Sequence, residues 1–453
     1  AMWRAALRAS CRRFPSKAPG AWVSAAAGAR CAVATAGSRC DVAIVGGGVV
    51  GSSVALHVAA AAPELRIAVF EGDPTYTRAS APRSAGGIRQ QFSLRANVEL
   101  SIYGVDFLKR GLRELCEGTD ADADVQFKEN GYLLLAPPGD GEAALRENVA
   151  VQHAAGADWI SVLTPEALER RFPWLSTEGV ALGAFGERNE GYFDPWALLQ
   201  AMRKAAAARG VEYVPQSVTG LSVAPGGGKI SALRLADGSS AEAGVTVNAA
   251  GAQSGHLVSL CGPGVAPLPV VPRKRCMWLF RAQETAGGPP LPPENTPLTI
   301  DTSGAYFRSE GSRTGTFVCG VSPRPEEDPD FDAGDPSHLD TLDSADEELF
   351  QERIWPALAA RAPALEALKV ESSWAGFYEY NTLDQNGVVG WHPDVPNLLL
   401  ACGFSGHGLQ QSPGVGRACA ELLQHGRFTT IDISCFGFER IARGEPLLER
   451  GIY

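Results

Sequence analysis

The chain has 453 residues, enough for two domains or for one nucleotide-binding core with a large insertion. Its formal net charge of −11 argues against nucleic acid as the main partner, because phosphate binding requires a basic surface. No apolar run reaches the roughly 18 residues that a membrane-spanning helix needs. The 10 cysteines are scattered and include no Cys-x-x-Cys pair, so we expect no bound metal.

Residues 1–40 differ in composition from the rest of the chain. They are rich in Arg, Ala and Ser and contain no acidic residue, which is typical of an organellar transit peptide. Arg4, Arg8 and Arg12 recur every four residues and would line one face of a helix. Dense arginine at the start favours the mitochondrion, in the matrix or on the matrix side of the inner membrane, over the plastid. A basic segment without a targeting role is the alternative.

A strand, a glycine motif and a helix follow, and together they predict a dinucleotide-binding unit. The apolar run 42–45 is typical of a buried parallel strand. In the G-x-G-x-x-G motif that follows, the glycines allow a tight turn, close approach of a pyrophosphate, and packing of the helix on the strand. We predict the helix from Ser52 to about Ala62, with its positive N-terminus facing the diphosphate. The predicted contacts of this unit are Val45, Gly46, Gly48, Val49, Val50 and Gly51.

A second predicted strand, 66–70, ends at an acidic residue. Glu71 lies 20 residues after Gly51, where a carboxylate accepts hydrogen bonds from the ribose hydroxyls of the adenosine. Gly72 follows it and is also a predicted contact. The order strand, glycines, helix, strand and acid is more specific than the glycine motif alone, but it does not separate FAD from NAD.

Two later segments favour FAD. The strand 245–249 ends in Ala250 and Gly251, small residues that let the cofactor pass closely. The strand 397–402 runs into a glycine-rich loop, after which we predict that Ser412 and Pro413 begin a helix to about residue 424. A helix N-terminus there suits the N1–C2=O edge of a flavin, which gains negative charge on reduction. The predicted contacts of this loop are Gly403, Ser405, Gly406, His407, Gly408 and Leu409.

With these motifs the chain resembles the FAD-dependent oxidoreductases of the D-amino acid oxidase, sarcosine oxidase and glycine oxidase superfamily, over about residues 41–450. The stretches 84–93, 193–196, 301–308 and 374–390 carry more of the likeness. The resemblance implies an α/β (α+β) fold in which a Rossmann-like FAD-binding domain is interleaved with an antiparallel-sheet substrate domain, as in D-amino acid oxidase. The implied segments are 41–115, 185–255 and 385–440 for the FAD-binding domain, 116–184 and 256–384 for the substrate domain, and 441–453 for a C-terminal tail.

Local patterns agree with these segments. Short β-rich runs at 127–136, 271–281, 305–308 and 316–321 are predicted strands of the substrate domain. Asp194 and Pro195 are predicted to begin a helix that continues through Arg209 and ends at Gly210.

The resemblance also implies site residues. The loop 83–89 would cover the pyrophosphate and flavin, and Arg89 would lie near the flavin ring unless it forms a structural ion pair. His407 would contact the flavin edge or only pack there, and Arg308 would bind a substrate carboxylate or remain on the surface. Candidate catalytic residues are Arg89, Tyr306, Arg308, Tyr378 and His407. Further cofactor contacts are Ser84, Ala85, Gly86, Gly87, Val218 and Gly376.

Three positions depart from the pattern of the superfamily. Tyr378 stands where amino acid oxidases place the arginine that holds the substrate carboxylate, which argues against simple amino acid oxidation. Phe377 stands where sarcosine oxidases attach the flavin through cysteine, so we expect non-covalent FAD. The position of the oxygen-activating lysine falls near Phe317, so oxygen should be a poor acceptor. Electrons would then leave to a flavoprotein or a quinone.

Two functions remain open at this point. One is dehydrogenation of a secondary amine or N-methyl amino acid at its CH–NH bond, with hydride transfer to flavin N5. The other follows from the resemblance, which is strongest to a mitochondrial member involved in assembly or maintenance of respiratory complex I. Complex I subunits or assembly intermediates would then be partners, and turnover need not be required. The basic stretch 273–275 would bind an acidic partner or the flavin phosphates, or it is a solvated strand end. The acidic stretch 326–348 is either a docking surface or a plain solvated loop.

Overall fold

The computed structural model describes residues 39–223, 228–311 and 313–450. The predicted transit peptide therefore lies outside the described residues except for its last two positions, and the last three residues of the predicted tail also lie outside. Within these ranges, no helix combines the length and the apolar character that crossing a bilayer requires.

The described residues form strands of three sheets, two of them large. In chain order the strands are β1 (Arg39–Val45), β2 (Ile67–Phe70), β3 (Gly87–Ile88), β4 (Tyr132–Ala136), β5 (Ile160–Leu163), β6 (Leu182–Gly186), β7 (Gly191–Tyr192), β8 (Glu212–Val214), β9 (Val218–Val223), β10 (Ile230–Leu235), β11 (Ser240–Asn248), β12 (Val270–Arg281), β13 (Leu298–Ile300), β14 (Tyr306–Ser309), β15 (Thr316–Gly320), β16 (Lys369–Asn381), β17 (Val388–Trp391) and β18 (Leu398–Cys402).

The α-helices of the described part differ widely in length. They are α1 (Val49–Ala61), α2 (Arg95–Asp106), α3 (Leu112–Cys116), α4 (Asp140–Ala154), α5 (Pro165–Arg171), α6 (Pro195–Ala207), α7 (Ser254–Ser259), α8 (Glu347–Leu349), α9 (Trp355–Arg361), α10 (Gly408–His425) and α11 (Glu439–Arg443).

The first large sheet carries the dinucleotide motif. Its strands run in the order β17, β18, β11, β1, β2, β8, with the hairpin β9–β10 attached to β11. Strand β1 pairs in parallel with both β11 and β2, and its residues Val42–Val45 are buried. Such burial is usual for a parallel strand covered on both faces. Helix α1 follows directly and packs against α6 and α10.

The second large sheet has the order β16, β12, β15, β14, β13, β4, β6, β5 and is antiparallel except where β13 meets β4. Its longest pairing joins β12 to β16 along nearly their whole length. The strand predicted at 127–136 occupies only Tyr132–Ala136. Strand β6, Leu182–Gly186, spans residue 185, at which the predicted FAD-binding segment begins.

Three helices begin or end at residues other than those predicted. Helix α1 begins at Val49 rather than Ser52, directly after Gly48. Helix α6 begins as predicted, since the Asp194 carboxylate accepts hydrogen bonds from the Trp196 and Ala197 N–H groups, but it ends at Ala207 instead of Arg209. Helix α10 shows the largest difference.

The predicted start of α10 at Ser412 and Pro413 is wrong, because the helix already begins at Gly408. Proline inside a helix leaves the carbonyl four residues earlier without its N–H partner. Here that carbonyl belongs to Leu409, and it accepts a hydrogen bond from the Ser412 hydroxyl at 3.0 Å. The serine thus replaces the missing bond, and the helix continues through the proline.

The two large sheets meet near the glycine turns of the first sheet. The turn Gly251–Gln253, after β11, contacts both β12 and β16 of the second sheet. The predicted C-terminal tail packs back onto the body, where the Glu449 carboxylate accepts hydrogen bonds from the Asn97 side chain and the Leu94 N–H. The site described next lies where the sheets meet.

Candidate active site

A long cleft runs from the glycine turn after β1 to the start of α10 and encloses about 1250 Å³, its open mouth included. It is bounded at one end by Glu71 and at the other by the glycine-rich loop. An elongated cleft between these features suits an extended dinucleotide. Predicted contacts that line it are Gly46, Gly48, Val49, Val50, Glu71, Ser84, Ala250, Gly251, Gly406, Gly408 and Leu409.

The three glycines of the motif meet different surroundings. A Cβ on Gly46 would lie 2.2 Å from the Ala249 carbonyl oxygen, and a Cβ on Gly51 would lie 1.9 Å from the Gly46 carbonyl oxygen. A Cβ on Gly48 would meet no atom within 4 Å. The first and third glycines are therefore required by packing within the chain, whereas the space above Gly48 is left for a ligand.

The adenosine end of the cleft carries a carboxylate and a phenol. Glu71 accepts hydrogen bonds from the Gly47 N–H at 2.8 Å and the Asp73 N–H at 2.9 Å, and burial raises its pKa. The Tyr76 hydroxyl is buried without a hydrogen-bond partner, while its ring packs under the Arg203 guanidinium. A buried polar group without a partner in a cleft indicates a ligand. These groups fit the hydroxyl-rich adenosine of FAD.

Two helix N-termini point into the same cleft. Helix α1 is capped by Gly48 and α10 by His407, and neither cap uses a side chain or is followed by an acidic residue in the first turn. Each N-terminus therefore presents partial positive charge. Two such ends match the diphosphate of FAD and the flavin edge that becomes negative on reduction.

The loop predicted to cover the cofactor is fastened to β16. The Ser80 hydroxyl donates to the Phe377 carbonyl, the Arg83 guanidinium donates to the Ala375 carbonyl, and the Trp374 indole donates to the Arg83 carbonyl at 2.8 Å. These bonds hold the loop against β16, and Ser80 and Ser84 line the cleft.

A smaller cavity adjoins the flavin end of the cleft and shares Tyr378 and Leu409 with it. Aromatic and aliphatic side chains form much of its wall, and three arginines, Arg83, Arg89 and Arg275, also line it. Predicted site residues that line it are Ser84, Ala85, Gly86, Gly87, Arg89, Tyr306, Gly376, Tyr378, Ser405, Gly406, His407 and Leu409.

Arg89 supplies charge near the junction of the two cavities. Its guanidinium lies 4.7 Å from the Phe92 ring centre and 5.8 Å from that of Tyr132. Burial, with a contribution from Arg89, lowers the pKa of His407 to about 3, so the imidazole stays neutral at physiological pH. Burial also raises the pKa of Tyr306 and Tyr378, which keeps both phenols protonated. His407 and the two tyrosines are thus neutral, and the positive charge in the lining of the smaller cavity comes from its arginines.

The predicted substrate role of Arg308 is not supported by its position. It lines neither cavity; its guanidinium donates to the Ala85 carbonyl at 2.8 Å and stacks on Tyr192. Arg308 therefore fastens the covering loop. Five predicted cofactor contacts also line neither cavity: Val45, Gly51, Gly72, Val218 and Gly403.

The predicted equivalence of Phe317 to an oxygen-activating lysine also needs correction. The Phe317 ring stacks on Phe280 in the core of the second sheet and lines neither cavity. The cavity wall on this sheet includes Met277 and Tyr306, whose sulfur and hydroxyl lie 3.1 Å apart. The cationic side chains that line the two cavities are arginines.

The charged stretches noted in the sequence meet each other. Arg275 forms two hydrogen bonds to the Asp328 carboxylate at 2.7 and 2.8 Å, and Arg273 binds Asp328 and Asp330. Part of the acidic stretch thus neutralises the basic cluster within the chain, and Arg275 also lines the smaller cavity.

Sequence reasoning missed several lining residues. Tyr132 lies in a predicted strand of the substrate domain, and Glu379 directly follows the predicted site residue Tyr378. These neighbouring predictions could have identified both residues as candidates for the site. Tyr76 had no such signal, because its role depends on the positive φ of 57° that turns it into the cleft. Missed lining residues include Tyr76, Tyr132, Met277 and Glu379.

Comparisons with known proteins agree with this geometry. The family model described as "FAD dependent oxidoreductase" matches residues 41–422. The chain is 44% identical over 434 residues to FAD-dependent oxidoreductase domain-containing protein 1 of Xenopus laevis, covering 90% of this chain and 83% of that protein. It is equally 44% identical to the protein of that name from Bos taurus, with 90% and 86% covered.

Among solved structures, L-proline dehydrogenase from P. horikoshii superposes with a TM-score of 0.75 at 24% identity, covering 90% of this chain and 100% of that one. This likeness and the family match confirm the predicted fold class, and the family match confirms FAD as the cofactor. The chain belongs to the FAD dependent oxidoreductase family, and within it to the group of FAD-dependent oxidoreductase domain-containing protein 1.

Proposed function

We propose that this flavoprotein is a dehydrogenase of a small secondary amine or N-methyl amino acid. The observation that carries the proposal is the second cavity, which opens onto the flavin end of the cleft and has aromatic walls and a buried arginine. A cavity of this kind, mostly apolar with a few polar groups, is the usual form of a small-molecule site.

The residues of the cavity have distinct tasks in this proposal. Arg89 pairs with an anionic group of the substrate, and Tyr306 and Tyr378 pack about its carbon chain and exclude water. The neutral imidazole of His407 offers hydrogen bonding without adding charge. Bound FAD would accept a hydride at N5 from the carbon next to the amine. Orientation of that carbon over the flavin is the main contribution of the protein.

Anaerobic mixing with a panel of amines and N-methyl amino acids tests this function. We expect the flavin absorbance near 450 nm to bleach with at least one carboxylate-bearing member. Arg89→Gln should raise the concentration for half-reduction about tenfold to a hundredfold, since a charge-assisted hydrogen bond contributes about 1.5–3 kcal/mol. Arg113→Gln, at an exposed position of α3, is the matched control and should behave as wild type. A panel that bleaches nothing would sink the proposal.

We predict that the flavin is held without a covalent bond. Phe377 occupies the position at which sarcosine oxidases use cysteine, and its buried ring lines both cavities. Acid precipitation should therefore release the yellow colour into the supernatant. Colour that stays in the pellet would indicate an attachment elsewhere in the chain.

We also propose a mitochondrial location and a role in assembly or maintenance of complex I. The Arg-rich, acid-free composition of residues 1–40 supports import, and the resemblance described above supports the complex I role. Electrons would leave to a flavoprotein or a quinone, because among the described residues no lysine that could activate oxygen lines either cavity. Complex I subunits or assembly intermediates are the proposed partners.

A further inference from the structure

Glu379 places a carboxylate at the N-terminus of α10. It lies on β16, lines the cleft, and accepts a hydrogen bond from the Gly403 N–H at 3.0 Å. The main-chain carbonyl of the same residue accepts from the Ser405 N–H at 3.1 Å. A Cβ on Gly408 would lie 2.9 Å from the Glu379 carboxylate oxygen Oε1. The carboxylate therefore sits between the start of the glycine-rich loop and the first residue of the helix.

The position of the flavin follows from the other end of the cleft. In the dinucleotide motif, Glu71 would bind the ribose and the space above Gly48 would hold the pyrophosphate. The isoalloxazine ring would then lie toward the part of the cleft that the glycine-rich loop and β16 line. A helix N-terminus alone would stabilise the negative charge of the reduced ring. A carboxylate fixed on that same N-terminus opposes this effect.

We propose that the Glu379 carboxylate lowers the reduction potential of the bound flavin by offsetting the positive N-terminus of α10. Glu379 thus positions the glycine-rich loop through its hydrogen bonds. Its carboxylate also sets the charge next to the flavin ring. A low potential favours passing electrons onward to an acceptor.

The charge of Glu379 changes near neutral pH. Burial raises its pKa to about 7, so the carboxyl is largely protonated at pH 6 and ionised at pH 8. Tyr378 and Tyr380 adjoin it in the chain, Arg273 lies beside its partner on β12, and the Cys402 thiol is within range of its charge. His407 lies in the glycine-rich loop to which Glu379 is bonded.

These neighbours do not titrate in the same range. Burial raises the pKa of both tyrosines and of the Cys402 thiol, so all three stay protonated. The pKa of His407 is lowered to about 3, and Arg273 keeps its charge against Asp328 and Asp330. The lowering of the flavin potential should therefore be strong at pH 8 and weak at pH 6.

Glu379→Gln in the FAD-loaded protein tests the proposal, because the amide oxygen retains an acceptor for the Gly403 N–H while the charge is lost. Equilibration with a reference dye measures the ratio of reduced to oxidised flavin. At pH 8 we expect this ratio to rise about tenfold, equal to about 30 mV for a two-electron couple. At pH 6 the variant and wild type should agree. Glu421→Gln, a buried carboxylate in the C-terminal half of α10, is the control and should leave the potential unchanged.

A potential of Glu379→Gln equal to wild type at pH 8 would overturn the proposal. If the variant fails to bind FAD, the pH dependence of the reduction potential of the wild-type protein tests the proposal instead. Its potential should then fall more steeply with pH around 7 than that of free FAD, because Glu379 takes up a proton on reduction. A slope equal to that of free FAD would refute the role of Glu379 even though FAD binding itself stands.

Discussion

Gly48→Val is expected to give a folded protein without flavin. The space above Gly48 contains no atom within 4 Å, and its φ of −62° is compatible with a branched residue, so the chain itself tolerates the substitution. The same space is where the pyrophosphate must approach the backbone. We expect the flavin content to fall from about one per chain to near zero. Absorbance at 450 nm relative to 280 nm after gel filtration measures it.

Two further variants sharpen this test. Ala61→Val, at the other end of α1, introduces the same valine side chain away from the cleft and should keep the flavin. Gly46→Val should instead unfold the domain, because φ is +97° and the Cβ would lie 2.2 Å from the Ala249 carbonyl oxygen. A yellow Gly48→Val protein with full occupancy would contradict the site assignment.

The cofactor end of the site could be predicted because its signals are local. Strand β1, the three glycines, α1 and Glu71 follow one another within about thirty residues, and each has its own physical reason. The glycine-rich loop before α10 was found in the same way. The start of α10 was missed because proline usually marks a first turn. That rule failed where the Ser412 hydroxyl supplies the hydrogen bond that Pro413 cannot donate.

The substrate side was harder to predict because long-range pairing assembles it. Arg275 reaches the cavity through the pairing of β12 with β16, whose strands are about a hundred residues apart in the chain. Alternation along β14 places Tyr306 and Arg308 on the same face. Only Tyr306 lines the cavity, since the longer arginine extends to the Ala85 carbonyl. The alternation of a strand predicts on which face of the sheet a side chain lies. It does not predict where the terminal group of a long side chain is placed.

Cells that lack this protein are expected to lose most of their assembled complex I, while the other respiratory complexes are largely kept. This expectation follows from the proposed complex I role and from the proposed import, which the Arg-rich, acid-free composition of residues 1–40 supports. Native gels and complex I activity measure the loss. Re-expression of the full chain should restore the complex, and a chain that begins at residue 41 should not. Normal complex I in the deleted cells would contradict both the assembly role and its dependence on import.

The same cells decide whether turnover is needed. Arg89→Gln combined with Tyr306→Phe alters the substrate cavity but leaves Gly48 and Glu71 unchanged, so it should keep the flavin. Arg308→Ala is unsuitable for this purpose because it would release the covering loop from Ala85. At equal protein level and flavin content, we expect the double variant to restore less than half of complex I, as a catalytic role requires, and Arg113→Gln to restore all of it. Full recovery with the double variant would mean that the flavoprotein acts through its surface and that FAD serves its stability.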